Sequence, residues 1–442
     1  MKNEGGKGFL KGAAWIAVGG FVAKLIGAAY RIPLTNVIGG RGLGLYQMVY
    51  PVYCILLTVS ATGIPASIAK LTAEQIAQGK SDRAVFFSAL KLFLWIGIGG
   101  TALMALGSPF LTKVQGTREV LLGYFFLAPS VFLVSAISVF RGWFQGRNNM
   151  FPTAMSEICE QVIKVTFGLL FAYLYRGNVQ KAVIFLLLSV SISELVTLLL
   201  MIFFYKRVPA HEKMQKDGGR FAMKSILRLS LPVTFYSMLL PLSGLLDSVL
   251  VPFLLSAYET ESMTLYGLFT GGAVTIINLP VSICYGIAAA SVPAVAKAES
   301  DSHRRKKIFF ALGVTVAVAL PSAVGLFALA APAVKIIFRN LSETELNTLI
   351  KLVKILSLSA LTLSCVQTLS ACLTAQGQPQ HAALSMLIAI TVKTAVYALL
   401  LRSPKFSIFG VAYATNLCYL VAFSIDLLYN LYNKRKIKEQ KV

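Results

Sequence analysis

Three basic residues near the start of the sequence, Lys24, Arg31 and Arg41, lie in or beside segments apolar enough to enter a membrane. Lys24 and Arg31 are two helical turns apart and share one helix face, and Arg41 follows through a glycine-rich turn. Fixed cations at low dielectric suit a pyrophosphate or another anionic head group, which arginine can bind in a fork. The alternative is that Arg31 and Arg41 anchor the chain at lipid head groups.

Two further lysines, Lys164 and Lys393, are predicted about 17 Å along their helices, near the bilayer midplane. Lysines at that depth face protein or a water-filled cavity, and we expect both to bind substrate. Glu157, Glu160 and Lys164 share one helix face, so Glu160 and Lys164 could instead form an ion pair. Lys393 has no acidic residue in its own span, so its partner is on another helix or is a substrate anion.

Asp247 and Glu194 are carboxylates within apolar spans. Together with Glu157 and Glu160 they are candidates for binding the proton or Na⁺ whose gradient drives a conformational change; equally, each could balance a lysine. We favour Asp247, which lies on the predicted seventh helix, the counterpart of the first. We expect no metal and no organic cofactor, because the six cysteines show no CxxC spacing and the three histidines lie in polar connections.

The composition indicates that these residues lie in a membrane. Hydrophobic residues make up 56% of the 442, and charged residues 13%. Apolar runs of about 20 residues, the length of a membrane-spanning helix, recur along the whole chain and are continuous rather than alternating. The sequence therefore predicts an all-α polytopic membrane protein. The net charge of +23 does not indicate nucleic-acid binding, because most of the basic residues lie in the connections predicted to face the cytoplasm.

Hydropathy predicts twelve spans, at roughly 8–30, 43–69, 84–107, 119–140, 152–175, 182–205, 226–256, 263–292, 307–334, 346–374, 382–401 and 406–432. If both termini face the cytoplasm, most of the Lys and Arg residues in the connections fall on the cytoplasmic side. This positive-inside bias predicts a multi-pass protein of a bacterial cytoplasmic membrane with both termini cytoplasmic.

The longest polar connection follows the sixth span and divides the chain nearly in half. Short motifs recur about 230 residues apart: Gln145–Gly146 with Gln376–Gly377, and Lys164 with Lys393. We therefore predict two six-helix lobes, 1–208 and 209–442, joined by a cytoplasmic linker at 209–224. Because six spans return the chain to the same side, the lobes would be related by a pseudo-twofold axis along the membrane normal.

The stretch YRIPLTNVIGGRGLGLYQMVYPVY, running on to GIPASIAKLTAE, carries a family resemblance. It resembles the polysaccharide-biosynthesis and stage V sporulation protein B branch of the multidrug/oligosaccharidyl-lipid/polysaccharide (MOP) flippase superfamily, which also contains MurJ and the multidrug and toxin extruders (MATE). The resemblance implies two six-helix lobes around a central cavity and transport of amphipathic substrates by alternating access. MurJ-like members often add two C-terminal helices, which have no counterpart among the twelve spans.

Three functions remain open at this point. The favoured one is a flippase for a lipid-linked saccharide, with cations for the phosphate and a cleft for the sugar; its partners would be that substrate and membrane lipids, without nucleic acid, and it would act as a monomer. The second is a cation-coupled multidrug antiporter, which would depend on acidic cavity residues. The third is a membrane glycosyltransferase or polymerase, which needs acid/base or metal-binding groups and often a large outer loop. No outer connection is long enough for such a loop, so we expect no enzymatic activity.

Overall fold

The computed structural model describes residues 2–61, 64–208, 234, 237–296, 298 and 300–432, and in these ranges it contains helices and no strand. The predicted all-α polytopic membrane fold is confirmed. The helices are α1 (Lys2–Ala61), α2 (Ile64–Ala77), α3 (Arg83–Val114), α4 (Leu121–Gly146), α5 (Phe151–Leu174), α6 (Val179–Lys206), α7 (Leu239–Leu255), α8 (Ser262–Gly267), α9 (Val274–Ala296), α10 (Asp301–Ala328), α11 (Ala330–Ile337), α12 (Glu343–Ala375), α13 (Pro379–Leu400) and α14 (Phe409–Tyr432).

Nine helical segments in the described part of the chain are long and apolar enough to cross a membrane. One of them, Ser262–Ala296, consists of α8 and α9 joined by a π-helical turn at Leu268–Ala273. Helix α5 is long enough to be another, but it carries three charged residues, Glu157, Glu160 and Lys164. Charged side chains at membrane depth need partners inside the protein. We therefore expect neighbouring helices to supply groups that pair with the charges of α5.

Helix α1 consists of two arms that meet at Gly39. This residue alone within α1 has non-helical backbone angles, φ 67° and ψ −176°, a conformation that essentially only glycine adopts. Arg31 and Cys54 would be about 35 Å apart in one straight helix, yet they lie within electrostatic range of each other. The chain therefore reverses at Gly39, and the arms 2–38 and 40–61 run alongside each other.

This hairpin corrects the end predicted for the first span. Residues 31–42 were left between the first two predicted spans, but the turn is confined to Gly39, and the first arm continues through Arg31, which lies on the same helix as Lys24 as expected. Leu34, Thr35 and Ile38 are buried at the end of the first arm, and their i, i+1 and i+4 spacing places them on one face of a helix.

The chain divides into two compact units, Met1–Val249 and Leu250–Val442, with the division inside α7. In the first unit α4 packs against α3, α6 and α2, and α5 packs against α6 and the first arm of α1. Gly19 lies so close to Ala154 of α5 that a Cβ there would be 2.7 Å from the alanine Cβ. Aromatic side chains hold α3, α4 and α6 together, with the Phe86 and Tyr205 rings stacked at 4.6 Å between centroids. The contacts with α6 and with the first arm of α1 fix the position of α5.

In the second unit α12 is the central helix, and α9, α10 and α14 pack around it. It begins with a capping box, in which the Ser342 hydroxyl accepts from Glu345 N and the Glu345 carboxylate accepts from Ser342 N. It ends before Gly377, whose φ of 76° reverses the chain into α13. Short connections of this kind make α12, α13 and α14 antiparallel neighbours. The predicted inter-lobe linker, 209–224, lies outside the described residues.

Candidate functional site

An ion pair joins α4 to α5 inside the first unit. Arg141 Nη2 lies 3.0 Å from Glu160 Oε2, and Arg141 Nε donates to Ser156 Oγ at 2.9 Å. Both charged side chains are less than a fifth exposed. Burial of such a pair is tolerated only when hydrogen bonds satisfy the remaining groups, and Ser156, which donates to Thr153 O, supplies one of them. The α4–α5 hairpin therefore carries a charged anchor in its interior.

The ion pair found differs from the pair that the sequence suggested. Glu160 forms its ion pair with Arg141 of the neighbouring helix. Among the ion pairs of the described residues there is none between Glu160 and Lys164. Lys164 is half-buried in α5, about 20 Å from the start of the helix. Its ammonium lies within electrostatic range of Glu194 and of Cys54. Lys164 is therefore close to charged and titratable residues of α1 and α6.

Glu194 of α6 is the most deeply buried acidic residue of this region, at 2% exposure. Its Oε1 accepts a hydrogen bond from the Tyr53 hydroxyl, at 3.3 Å. It also lies within electrostatic range of Glu160, Arg141 and Lys164. The second arm of α1 thus supplies the donor that holds a carboxylate in a group of mixed charges.

Arg31 enters the same region from the first arm of α1. It is within electrostatic range of Tyr46, Tyr50 and Cys54, which lie on the second arm. The rings of Tyr46 and Tyr50 are stacked at 5.0 Å. Glu157 is half-buried on α5 and within electrostatic range of Arg141. We call these charged residues the first-unit charge cluster: Arg31, Arg141, Glu157, Glu160, Lys164 and Glu194.

Arg41 lies elsewhere. It is exposed just after the Gly39 turn and pairs with Glu119, with 2.9 Å between Nη2 and Oε1. Lys24 belongs to α1, but its side chain lies outside the described residues. The structure thus describes one of the three predicted anion-binding cations, Arg31, within the charge cluster, and another, Arg41, at the surface. Their role in substrate binding stays a prediction.

The other two predicted site residues are buried on separate helices. Asp247 is 8% exposed on α7, and Lys393 is 7% exposed on α13. Lys393 lies in the second unit, which has a polar network of its own around the fully buried Asp426 of α14. Asp426 accepts from Ser370 Oγ at 2.6 Å and contacts Ser385 Oγ.

Sequence reasoning missed Arg141 and Asp426. Arg141 was assigned to a cytoplasmic connection because the fourth span was predicted to end at residue 140, whereas α4 continues to Gly146. Asp426 lies within an apolar run like Asp247 and Glu194, and the same criterion would have found it. Tyr53 carried no signal of its own, since a tyrosine at a helix interior is most often a packing residue.

Comparisons with known proteins agree with this fold. The family model described as polysaccharide biosynthesis protein matches residues 9–295. Stage V sporulation protein B of Bacillus subtilis (strain 168) is 28% identical over 312 residues, 68% of this chain and 60% of that protein. The match thus spans less than two thirds of the relative's length. The lipid II flippase MurJ of the same organism is 21% identical over 351 residues, 73% of this chain and 64% of that protein.

Solved structures show the same architecture at low sequence identity. An inward-facing multidrug resistance MATE family transporter of the MOP superfamily has a TM-score of 0.78 at 15% identity, covering 92% of this chain and 94% of that one. The eukaryotic MATE transporter AtDTX14 has a TM-score of 0.67 at 15% identity, covering 97% of both chains. Since the family model matches well over half of the chain, this multi-pass membrane protein belongs to the polysaccharide biosynthesis protein family.

Proposed function

We propose that the protein is a flippase that carries a lipid-linked saccharide, a polyprenyl-pyrophosphate glycan of the kind used for peptidoglycan or polysaccharide, across the bacterial cytoplasmic membrane by alternating access. Both termini face the cytoplasm and the working unit is the monomer. The relative MurJ, a lipid II flippase, supports this substrate class.

The observation that carries the proposal is the burial of Lys164 without a described ion pair. Its ammonium is half-buried inside the first unit and, among the described ion pairs, has no carboxylate within 4.0 Å. A cation held at membrane depth is costly unless an anion meets it during the working cycle. Arg31 on the adjoining arm of α1 adds a guanidinium that suits phosphate oxygens. Together they supply positive charge for a pyrophosphate group.

Substrate movement needs an energy source, and the carboxylates of the charge cluster are candidates for it. Glu194 is held by Tyr53, and Glu160 by Arg141, so binding of a proton or Na⁺ at either would change which cations are neutralised. Glu157 and Asp247 are the remaining predicted coupling residues. In this scheme a cation that binds at Glu194 releases Lys164 from neighbouring negative charge and prepares it for the substrate phosphate.

The experiment uses the purified chain in proteoliposomes that contain a fluorescent polyprenyl-pyrophosphate glycan. Flipping is measured as loss of protection from a membrane-impermeant reductant. Lys164→Gln should slow flipping about tenfold or more, since one charge-assisted hydrogen bond is worth about 1.5–3 kcal/mol. Lys164→Arg should retain most of the activity, and Lys181→Gln, which removes an exposed lysine at the start of α6, is the matched control.

A second function, a cation-coupled multidrug antiporter, is favoured by one observation: the charge cluster contains three carboxylates alongside its three cations. An antiporter for cationic drugs would use those carboxylates as the substrate site. The same proteoliposomes, loaded with ethidium and given a pH or Na⁺ gradient, distinguish the two. Gradient-driven ethidium movement without any glycolipid flipping would overturn the flippase proposal.

A further inference from the structure

Asp426 is a fully buried carboxylate in the second unit, at 0% exposure. All the described hydrogen bonds of its side chain come from two serines: Ser370 of α12 and Ser385 of α13. Among the described residues, no Lys, Arg or His forms an ion pair with it. An ionised carboxylate buried without a cation costs several kcal/mol, so the site should hold either a proton or a small cation.

The number of protons that the serine hydroxyls can donate distinguishes a bound proton from a small cation. Ser385 Oγ lies 2.9 Å from Ala382 O, which can only accept, and it also contacts Asp426 Oδ1. A serine hydroxyl has one proton and can donate to only one of these oxygens. With Asp426 ionised, one of the two contacts therefore joins two acceptors. With a proton on Oδ1, Asp426 donates to Ser385 Oγ, and Ser385 donates to Ala382 O.

The other carboxylate oxygen fits the same assignment. Ser370 Oγ lies 2.6 Å from Asp426 Oδ2 and donates to it. Asn430, one turn further along α14, donates through Nδ2 to Asp426 O at 2.8 Å and to Leu369 O at 3.2 Å. Every polar contact around Asp426 then has one donor and one acceptor, provided that the side chain carries one proton.

The titratable and charged groups on the elements packed around Asp426 have other contacts. His381 of α13 stacks on Tyr429 at 4.3 Å between ring centroids, and Cys372 of α12 contacts the Ser291 hydroxyl. Arg304 of α10 pairs with Asp301. Lys393 lies about 12 Å beyond Ser385 along α13. None of these groups supplies a hydrogen bond or an ion pair to Asp426 among its described contacts, so a bound proton is the neutralising charge.

A polar path leads from this site to the end of the second unit. Gln376 Nε2 donates to Asn430 Oδ1 at 2.8 Å, and Gln376 is the residue at which α12 ends, next to the turn into α13. His381 lies in the first turn of α13, one helical turn before Ser385. Polar side chains, rather than apolar packing alone, therefore lie between Asp426 and the α12–α13 turn.

We propose that Asp426, with Ser370 and Ser385, is a proton-binding site of the second unit, reached from the α12–α13 turn. Proton binding follows from the geometry of the site alone. Its use in driving transport rests on the proposed flippase function: loss of the proton would leave two acceptors facing each other at Ser385 and loosen α13 from α14, which gives protonation a mechanical consequence.

The test is infrared difference spectroscopy of the full chain in lipid, which detects the C=O stretch of a protonated carboxylic acid. At neutral pH the wild-type spectrum minus the Asp426→Asn spectrum should contain this band, because the subtraction removes the contribution of the carboxylates that both proteins share. Asp301→Asn is the matched control, because Asp301 is about half exposed and ion-paired, so its removal should leave the band unchanged. The spectra are recorded in sodium chloride and in choline chloride.

Two results would overturn the proposal: a wild-type-minus-variant spectrum without such a band at neutral pH, or a band in that spectrum that Na⁺ abolishes at constant pH. The last would mark a sodium site. If Asp426→Asn fails to fold, Ser385→Ala replaces it: removing the acceptor of the proton should shift the band, and an unshifted band contradicts the assignment. In the flipping assay, Asp426→Asn should lose the response to a pH gradient that the wild type shows, and Asp301→Asn should keep it. A wild type that flips nothing refutes the proposed function and leaves the infrared result standing.

Discussion

Arg141 of α4 and Glu160 of α5 form a 3.0 Å ion pair inside the first unit, with both side chains less than a fifth exposed. The pair places a guanidinium next to the helix that carries Lys164, and it removes Glu160 as a partner for that lysine. In the proposed function, the charge of Lys164 is available for the substrate because Arg141, which lies on another helix, neutralises Glu160.

Loss of this pair should destabilise the protein. Arg141→Gln leaves Glu160 buried without its cation, at a cost of about 3 kcal/mol. The purified variant should show a clearly lower midpoint of thermal unfolding, and the exchanged double variant Arg141→Glu with Glu160→Arg should recover part of the loss. Arg41→Gln is the control, because the exposed Arg41–Glu119 pair should contribute no more than about 0.5 kcal/mol. Equal effects at the two arginines would contradict the assigned role of the buried pair.

The reversal at Gly39 should depend on glycine. Gly39→Ala places a Cβ on a residue with φ 67° and ψ −176°, so we expect a loss of about 1–3 kcal/mol in the free energy of unfolding. The side chain itself meets no atom within 4 Å, so the cost comes from the backbone. Gly99→Ala in α3, which also has open space around it and lies in regular helix, should be neutral or slightly stabilising. An unchanged Gly39→Ala protein would argue against the hairpin.

The cations of the first arm should be needed for transport rather than for stability. Lys24→Ala and Arg31→Ala should each abolish complementation of a flippase-deficient strain at normal protein level. Lys24→Arg should be tolerated better than Lys24→Gln, and Arg31→Lys should be only partly active because lysine cannot form a fork with phosphate. Full complementation by a stably expressed double alanine variant would leave these side chains as interface anchors.

The orientation can be measured by thiol labelling in a background without native cysteines. A membrane-impermeant reagent applied to whole cells should label Thr117→Cys, in the α3–α4 connection, because this connection is predicted to face outward. It should label Lys216→Cys only after the membrane is permeabilised, because the connection after α6 is predicted to be cytoplasmic. Labelling of both positions from the same side would contradict the predicted topology.

The sequence by itself determined that the protein lies in a membrane and that its fold is all-α. Continuous apolar runs of about 20 residues can satisfy their backbone in lipid only as helices, so composition and period were sufficient for an all-α polytopic protein. The same reasoning selected Lys164 and Glu194, because a charge in an apolar run is costly wherever the helix lies. It needed no knowledge of which helices are neighbours.

Only the tertiary structure decided which charges meet. Glu160 was equally compatible with Lys164 on its own helix and with Arg141 on the next, and the packing of α4 against α5 selects Arg141. Arg31 lies near the tyrosines of the second arm because the chain reverses at Gly39. The sequence contains several glycines in this stretch and does not show at which of them the chain reverses. Asp426 acquires two serine partners from different helices for the same reason. Electrostatic and hydrogen-bond energies depend on distances between residues far apart in the chain, and these distances follow from helix packing, not from hydropathy or local spacing.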